Sequence, residues 1–372
     1  MYLRTRSKAR KSKRDSPFGA FTSLFYALLC IGLVGFFVWV WRQPNHGGQM
    51  APVTPPAPVA TAAAPASRQP IPPVALPRLR VPEATASDTR PVETILEAQI
   101  ALVEQGISPG SIDGVAGSQT EAAVIAFQKR RGIVPSGLLD GQTKALLLIA
   151  QPVMTEYTVT SEDLGRVMPL PKTWLGKSGQ SRLDFENILE LLGEKAFSNP
   201  QLIRALNPGV NWSQVASGTK VTMPRVDYPP VTGKAAFVKI SLQQCLLEVF
   251  DSETNLLAHF PCSIGRVAAK RPAGELHVTA IVLDPNYTFD PGVFPESPEA
   301  QTVGRKLILP PGPNNPVGVA WIGLDRPGYG IHGTPAPEQV GRTESHGCFR
   351  LANWNASYLA RLVWVGMTVI VE

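Results

Sequence analysis

Towards the C-terminus Ser345, His346, Gly347 and Cys348 stand in succession, with a second histidine upstream in Ile331-His332-Gly333-Thr334. A thiol and an imidazole are the parts of a nucleophile activated by a base. A free cysteine ionises near pH ~8.5, so a neighbouring ring is needed to raise its thiolate fraction at neutral pH. Other chemistries compete for the same residues. His332, His346 and Cys348 have the ligand types of a zinc site, but no fourth ligand stands at a recognisable spacing. Ser345 is a weaker nucleophile than the thiol beside it. A single histidine or cysteine more often packs in a core or sits on a surface. The joint pattern is what points to acyl transfer.

Elements that position these residues can be read from the alternation around them. Beyond Lys234 come short alternating segments, AFVKISL, CLLEVFD, LLAHFPCSIG, GELHVTAIVL, KLILP, VAWIGL and TVIVE, separated by turn residues. With one late helix in NASYLARLVWVG, they predict a mostly-β domain over 234–372. On a strand, His346, Cys348 and Arg350 share one side. Gly347 permits close approach of the main chain, and the N–H groups around Gly347 and Cys348 are candidate oxyanion donors. Arg350 could meet a substrate carboxylate as a fork. The Pro-rich stretch from Asp284 to Pro316 is too polar and broken for core and reads as a cleft wall or lid.

The segment GYGIHGTPAPEQVGRTESHGCFRLAN resembles the active-site signature of the L,D-transpeptidase catalytic domain, the YkuD family. Its fixed positions fall on His332, Gly333, Ser345, His346, Gly347, Cys348, Phe349 and Arg350. Upstream, SIGRVAAKRPAGELHV is similar to the family's preceding strand pair, with Arg271-Pro272-Ala273-Gly274 in place of the commoner Thr-Pro-Thr-Gly. The resemblance implies Cys348, His332 and His346 as the catalytic set, with His332 the base, its ring oriented by backbone rather than by a carboxylate. It implies Ser345, Gly347, Gly333 and Arg350 as support, no cofactor and no metal. The implied reaction is attack by Cys348 on the carbonyl between a position-three diaminopimelate and the terminal D-Ala of a peptidoglycan stem, a thioester, and its resolution by an amine on a second stem to give a 3-3 cross-link. Water or a protein lysine as acceptor would make a carboxypeptidase or a protein-to-wall ligase instead. A domain without turnover would be a wall-binding anchor.

Two further resemblances precede it. Residues 93–150 show helical periodicity broken at PGSIDGVAG and SGLLDG, and Asp113-Gly114, Gly117, Thr120, Ala123, Phe127-Gln128 and Asp140-Gly141 resemble the three-helix peptidoglycan-binding module. Residues 155–226 resemble a diverged LysM-like α+β module, with Asn199 capping the helix that carries Leu202, Ile203 and Leu206.

The net charge of +6 suggests an anionic partner until its location is read. Seven of the 35 basic residues lie in the first 14 positions, leaving 28 against 29 acidic ones, so nucleic-acid binding loses its main support. After this basic tail (1–17), residues 18–41 are uncharged and long enough to span a bilayer as one helix. The basic flank and Trp39 and Trp41 at the other end put the N-terminus in the cytoplasm and the rest outside it, in the periplasm. Residues 42–92 hold much of the chain's 36 prolines and read as an extended tether. The expected protein is multidomain: transmembrane helix, three-helix domain, LysM-like module and mostly-β catalytic domain. Its partners would be donor and acceptor stem peptides and the inner membrane, with room for an envelope protein the sequence does not identify. Cys245 and Cys262 flank the turn DSETN and could face each other, oxidised or not.

Overall fold

A computed structural model describes residues 89–233, 235–266, 271–293, 297–342 and 347–372. The basic tail, the apolar segment 18–41 and the tether up to residue 88 lie outside the described residues, as do Ser345 and His346. Among the described residues no helix is long and apolar enough to cross a membrane.

The first layer is helical. A short pair, β1 (Thr89–Pro91) and β2 (Leu148–Ala150), ties together α1 (Ile95–Val103), α2 (Ser118–Arg130) and α3 (Gly141–Leu146). Thr94 caps α1 and Asp140 caps α3, each accepting from an N–H three residues on. Two buried glutamines organise the Gly-rich turns. Gln99 Oε1 accepts from the N–H groups of Asp113 and Gly114, and Gln128 Oε1 accepts from Gly137 N–H. The residues that carry the sequence resemblance here thus have structural tasks of their own.

A second unit pairs β3 (Met154–Thr158) with β4 (Lys220–Pro224) and encloses α4 (Ser161–Gly165), α5 (Trp174–Ser178), α6 (Ile188–Lys195) and α7 (Pro200–Leu206). Asn199 caps α7, with Pro200 in its first turn. Helix α6 reads as amphipathic in the sequence, yet Glu194 and Lys195 are buried along with its leucines. The physical reason is that the helix lies between its own core (Leu191, Leu192, Ile203, Met223) and the C-terminal domain, so it has little solvent face. Lys195 pairs with Asp163 at 3.1 Å. Glu194 reaches across the seam.

The C-terminal domain is one sheet of β5 (Phe237–Ser241), β6 (Leu246–Phe250), β7 (Leu256–Pro261), β8 (Gly274–Leu283), β11 (Ala320–Leu324), β12 (Gly330–His332), β13 (Phe349–Arg350) and β14 (Thr368–Val371). Their spatial order is β13-β12-β11-β8-β14-β5-β6-β7, parallel at β12/β13 and β14/β5 and antiparallel elsewhere. Alternation decides the inner face: Val238, Ile240, Leu247 and Val249 are fully buried. The sheet curls until its two ends meet, Ser263 just past β7 exchanging both backbone hydrogen bonds with Arg350 of β13. Helix α9 (Asn353–Leu362) packs along this sheet, and Tyr358 stacks on Tyr228 at 4.1 Å.

The stretch from Asp284 to Pro316, read from the sequence as too polar for core, does hold a small one. It forms the hairpin β9 (Tyr287–Phe289) and β10 (Leu307–Leu309), with a short α8 (Ala300–Val303), around a small core of Phe289, Leu307, Leu309 and Leu183. Leu183 comes from the preceding unit, so the apolar surface this stretch lacks is supplied from outside it. Trp174 of α5 stacks on Phe289 at 4.7 Å, and Glu299 accepts from the N–H groups of Trp174 and Leu175. Arg182 grips Asp284 through two hydrogen bonds, at 2.8 and 3.2 Å. Such an aromatic pair contributes about 0.5–1.5 kcal/mol beyond its buried area. Trp174→Ala is therefore expected to make the hairpin more readily cleaved in limited proteolysis while residues 93–150 stay resistant.

Candidate active site

The two halves of the signature are carried by two short strands, β12 and β13, neither among the alternating segments read from the sequence. Their parallel register sets His332 opposite Arg350 and Ile331 opposite Phe349. Cys348 immediately precedes β13, and its Sγ lies 3.5 Å from the Gly328 carbonyl oxygen, just ahead of β12. Paired residues of β12 and β13 are thus neighbours in space although seventeen residues lie between them in the chain, and the curl of the sheet brings β13 against Ser263.

His332 is 4% exposed. Its Nδ1 lies 2.6 Å from the carbonyl oxygen of Gly333. A carbonyl only accepts, so Nδ1 carries the proton and Nε2 of the neutral ring keeps its lone pair. The ring stacks on Trp321, centroids 5.6 Å apart. Burial, opposed by the bond to Gly333 and aided by the Arg350 guanidinium, holds the imidazole down at about 4. At neutral pH the ring is uncharged.

Cys348 is half-buried, and desolvation holds its thiol above the ordinary value, opposed by a backbone hydrogen bond from Gly330 and by Arg350. The same guanidinium thus acts on both groups, favouring the thiolate and the neutral imidazole. Arg350 itself is held down chiefly by desolvation. Tyr287 of the β9 hairpin acts electrostatically with both Cys348 and Arg350, and burial pushes its phenol up to about 12. That tyrosine carried no signal in the sequence.

Glycines shape the walls. Gly347 has φ of 155°, and a Cβ there would stand 3.0 Å from the Tyr329 ring. A Cβ on Gly265 would meet Gly347 Cα at 3.0 Å. Arg271, the departure from the family's turn, donates from Nε to the Gly265 carbonyl at 2.6 Å and so holds the segment after β7 that abuts Gly347. At Gly333 and Gly318 a methyl group would collide with Asn353 Oδ1. Gly333→Ala is expected to lower stability by about 1–3 kcal/mol, the usual penalty for overpacking, read as a lower urea midpoint at unchanged slope.

The structure brings together His332, Gly333, Gly347, Cys348 and Arg350; Ser345 and His346 are outside the described residues. Cys245 and Cys262 face each other at the base of the β6–β7 hairpin, Cys262 N–H donating to the Cys245 carbonyl at 2.8 Å, with both thiols free of a disulfide.

Residues 235–371 match the family described as the L,D-transpeptidase catalytic domain. They are an L,D-transpeptidase catalytic domain. Residues 92–147 match a second family, described as "Putative peptidoglycan binding domain". The chain is 26% identical over 181 residues to "Putative L,D-transpeptidase YkuD" of Bacillus licheniformis, covering 49% of this chain and 91% of that one. It is 30% identical over 166 residues to "Probable L,D-transpeptidase ErfK/SrfK" of Escherichia coli K12, covering 44% of this chain and 52% of that one. The chain thus spans about half the length of the E. coli relative. Among solved structures, L,D-transpeptidase 3 of Mycobacterium tuberculosis is 17% identical over 43% of this chain and 76% of that chain, with a TM-score of 0.30, too low to carry weight.

Proposed function

We propose that the protein is a cysteine acyltransferase of peptidoglycan stems, anchored in the cytoplasmic membrane by residues 18–41 with its folded part in the periplasm. The observation that supports the chemistry most directly is the tautomer of His332: a backbone carbonyl occupies Nδ1, leaving Nε2 as a base on the strand paired with β13, which Cys348 immediately precedes. Cys348 Sγ attacks the carbonyl between diaminopimelate and the terminal D-Ala while His332 Nε2 takes the thiol proton. Main-chain N–H groups around Gly347 and Cys348 receive the developing oxyanion. Breakdown passes that proton to the departing D-Ala amine and leaves a thioester. An amine of a second stem then attacks the thioester carbonyl, His332 takes its proton, and the thiol is restored with a new amide in the 3-3 cross-link. The amide exchanged for an amide leaves no need for an external energy source.

Arg350 would neutralise a carboxylate of the donor, and the β9–β10 hairpin would wall the donor against Cys348, a reading supported by the electrostatic interaction of Tyr287 with both Cys348 and Arg350. Residues 93–150 and the LysM-like unit 155–226 would hold the enzyme on the wall polymer.

Incubating the full chain in detergent with purified tetrapeptide muropeptides, and following products by mass spectrometry, tests this. Loss of D-Ala with appearance of a dimer supports transpeptidation. Loss of D-Ala alone makes it a carboxypeptidase, and retention of muropeptides without turnover leaves an anchor.

A further inference from the structure

Helix α6 belongs to the unit ahead of the catalytic domain, yet its Glu194 ends against the first residue of α9. Asn353 Nδ2 donates to Glu194 Oε1 at 3.0 Å and to the Pro313 carbonyl at 3.1 Å. Both amide hydrogens are therefore spent, and because the Pro313 oxygen can only accept, the nitrogen must face it. The carboxamide oxygen is left on the opposite side. There it lies against Gly318 and Gly333, close enough that neither could carry a side chain. Gly333 is the residue whose carbonyl fixes the proton on His332 Nδ1. One continuous set of contacts runs from Glu194 through Asn353 and the Gly333 peptide to the imidazole.

Packing does not explain the residue type. Glu194 is 8% exposed, and its Oε2 has no hydrogen-bond partner among the described residues. Leaving a buried polar atom unsatisfied is destabilising, a cost that leucine or methionine would avoid. Burial, with Glu190 and Glu338 nearby, pushes the carboxyl up to about 8 against the Asn353 bond and Arg166, so at neutral pH it is largely uncharged. What the position supplies that an apolar residue cannot is an acceptor for Asn353.

We propose that Glu194 is a positioning residue for His332, acting through Asn353 and the Gly333 peptide, so that the unit preceding the catalytic domain completes its active centre. The inference rests on the reading of His332 as the base, and its test is chosen to be separable from that reading. The full chain carries five histidines, and 15N-histidine labelling reports the tautomer of each ring whether or not Cys348 turns over. The wild-type protein is expected to show His332 with its proton on Nδ1. Glu194→Gln, which keeps an acceptor oxygen for Asn353, should keep that signature and hold kcat within about twofold. Glu194→Leu, with circular dichroism confirming the fold, should give a mixed tautomer and lower kcat by about tenfold or more at unchanged KM, the size of effect seen when a supporting hydrogen bond is lost. Asn353→Ala, which leaves Glu194 in place, should reproduce the tautomer change and serves if Glu194→Leu does not fold. A wild-type His332 spectrum in folded Glu194→Leu, or in Asn353→Ala, overturns the inference, as does Glu194→Gln behaving like Glu194→Leu. Absence of turnover in the wild-type protein with the tautomer change intact would sink the proposed reaction and leave the positioning role standing.

Discussion

Replacing Cys348 by alanine is expected to abolish turnover of tetrapeptide muropeptides, by at least about 10³-fold, without lowering the melting temperature appreciably. The size follows from what the residue supplies: removal of a covalent nucleophile takes away the acyl-enzyme route itself, not one of several stabilising contacts. Little stability should be lost because the side chain is half-buried at the edge of the sheet. Cys262 provides the contrast. It is fully buried and its thiol is pushed well above the ordinary range by desolvation, so Cys262→Ser should leave turnover intact. Intact mass after treatment with a β-lactam or a thiol reagent gives a second readout, one adduct in the wild-type protein at Cys348 and none there in the alanine variant. Full turnover in Cys348→Ala would end the acyltransferase reading.

The second large effect concerns pH. His332 is held down to about 4 and Cys348 above its ordinary value, so the resting pair is a neutral ring beside a neutral thiol. Two consequences differ in sign. Acylation by substrate, in which His332 removes the proton as the bond forms, should be nearly flat from about pH 5 to neutrality and fall only as the ring protonates near 4. Alkylation by iodoacetamide consumes pre-formed thiolate, so its rate should be low at pH 7 and climb throughout the alkaline range. A resting ion pair would instead give fast alkylation already at pH 6. His332→Ala should lower acylation by about 10²–10⁴-fold, the usual contribution of a general base, while changing alkylation far less. Stability limits the acid end of the measurement. Because the folded state holds His332 below its unfolded value of 6.5, that ring's contribution is fully present above 6.5 and is lost as pH falls through about 4. Rates there should be taken within the time the fold persists.

The contrast between the two reagents also says what Arg350 contributes. Its guanidinium lowers both groups, so Arg350→Ala should bring alkylation to still higher pH, visible as a shift of the same profile. Tyr287 acts electrostatically on Arg350 from the hairpin that Trp174 pins, so loosening Trp174 is expected to act on the site through that side.

The sequence by itself determined the chemical parts. Cysteine, histidine and glycine types at His332-Gly333 and Gly347-Cys348 define a nucleophile, a base and a close backbone approach wherever the chain folds, because these properties belong to the side chains. Alternation likewise determined β5, β6 and β8, whose period of two is a local property of a half-buried strand. The strands that seat the site were not legible. Gly330-Ile331-His332 and Phe349-Arg350 are too short to show a period, and they exist because the curled sheet offers each a partner. Tertiary structure alone also decided which charges meet. Glu194 looks in the sequence like the polar side of an amphipathic helix, and the Asp284–Pro316 stretch looks too polar and broken for core. Each is buried by a surface more than a hundred residues away along the chain, and burial by distant surface leaves no trace in local pattern.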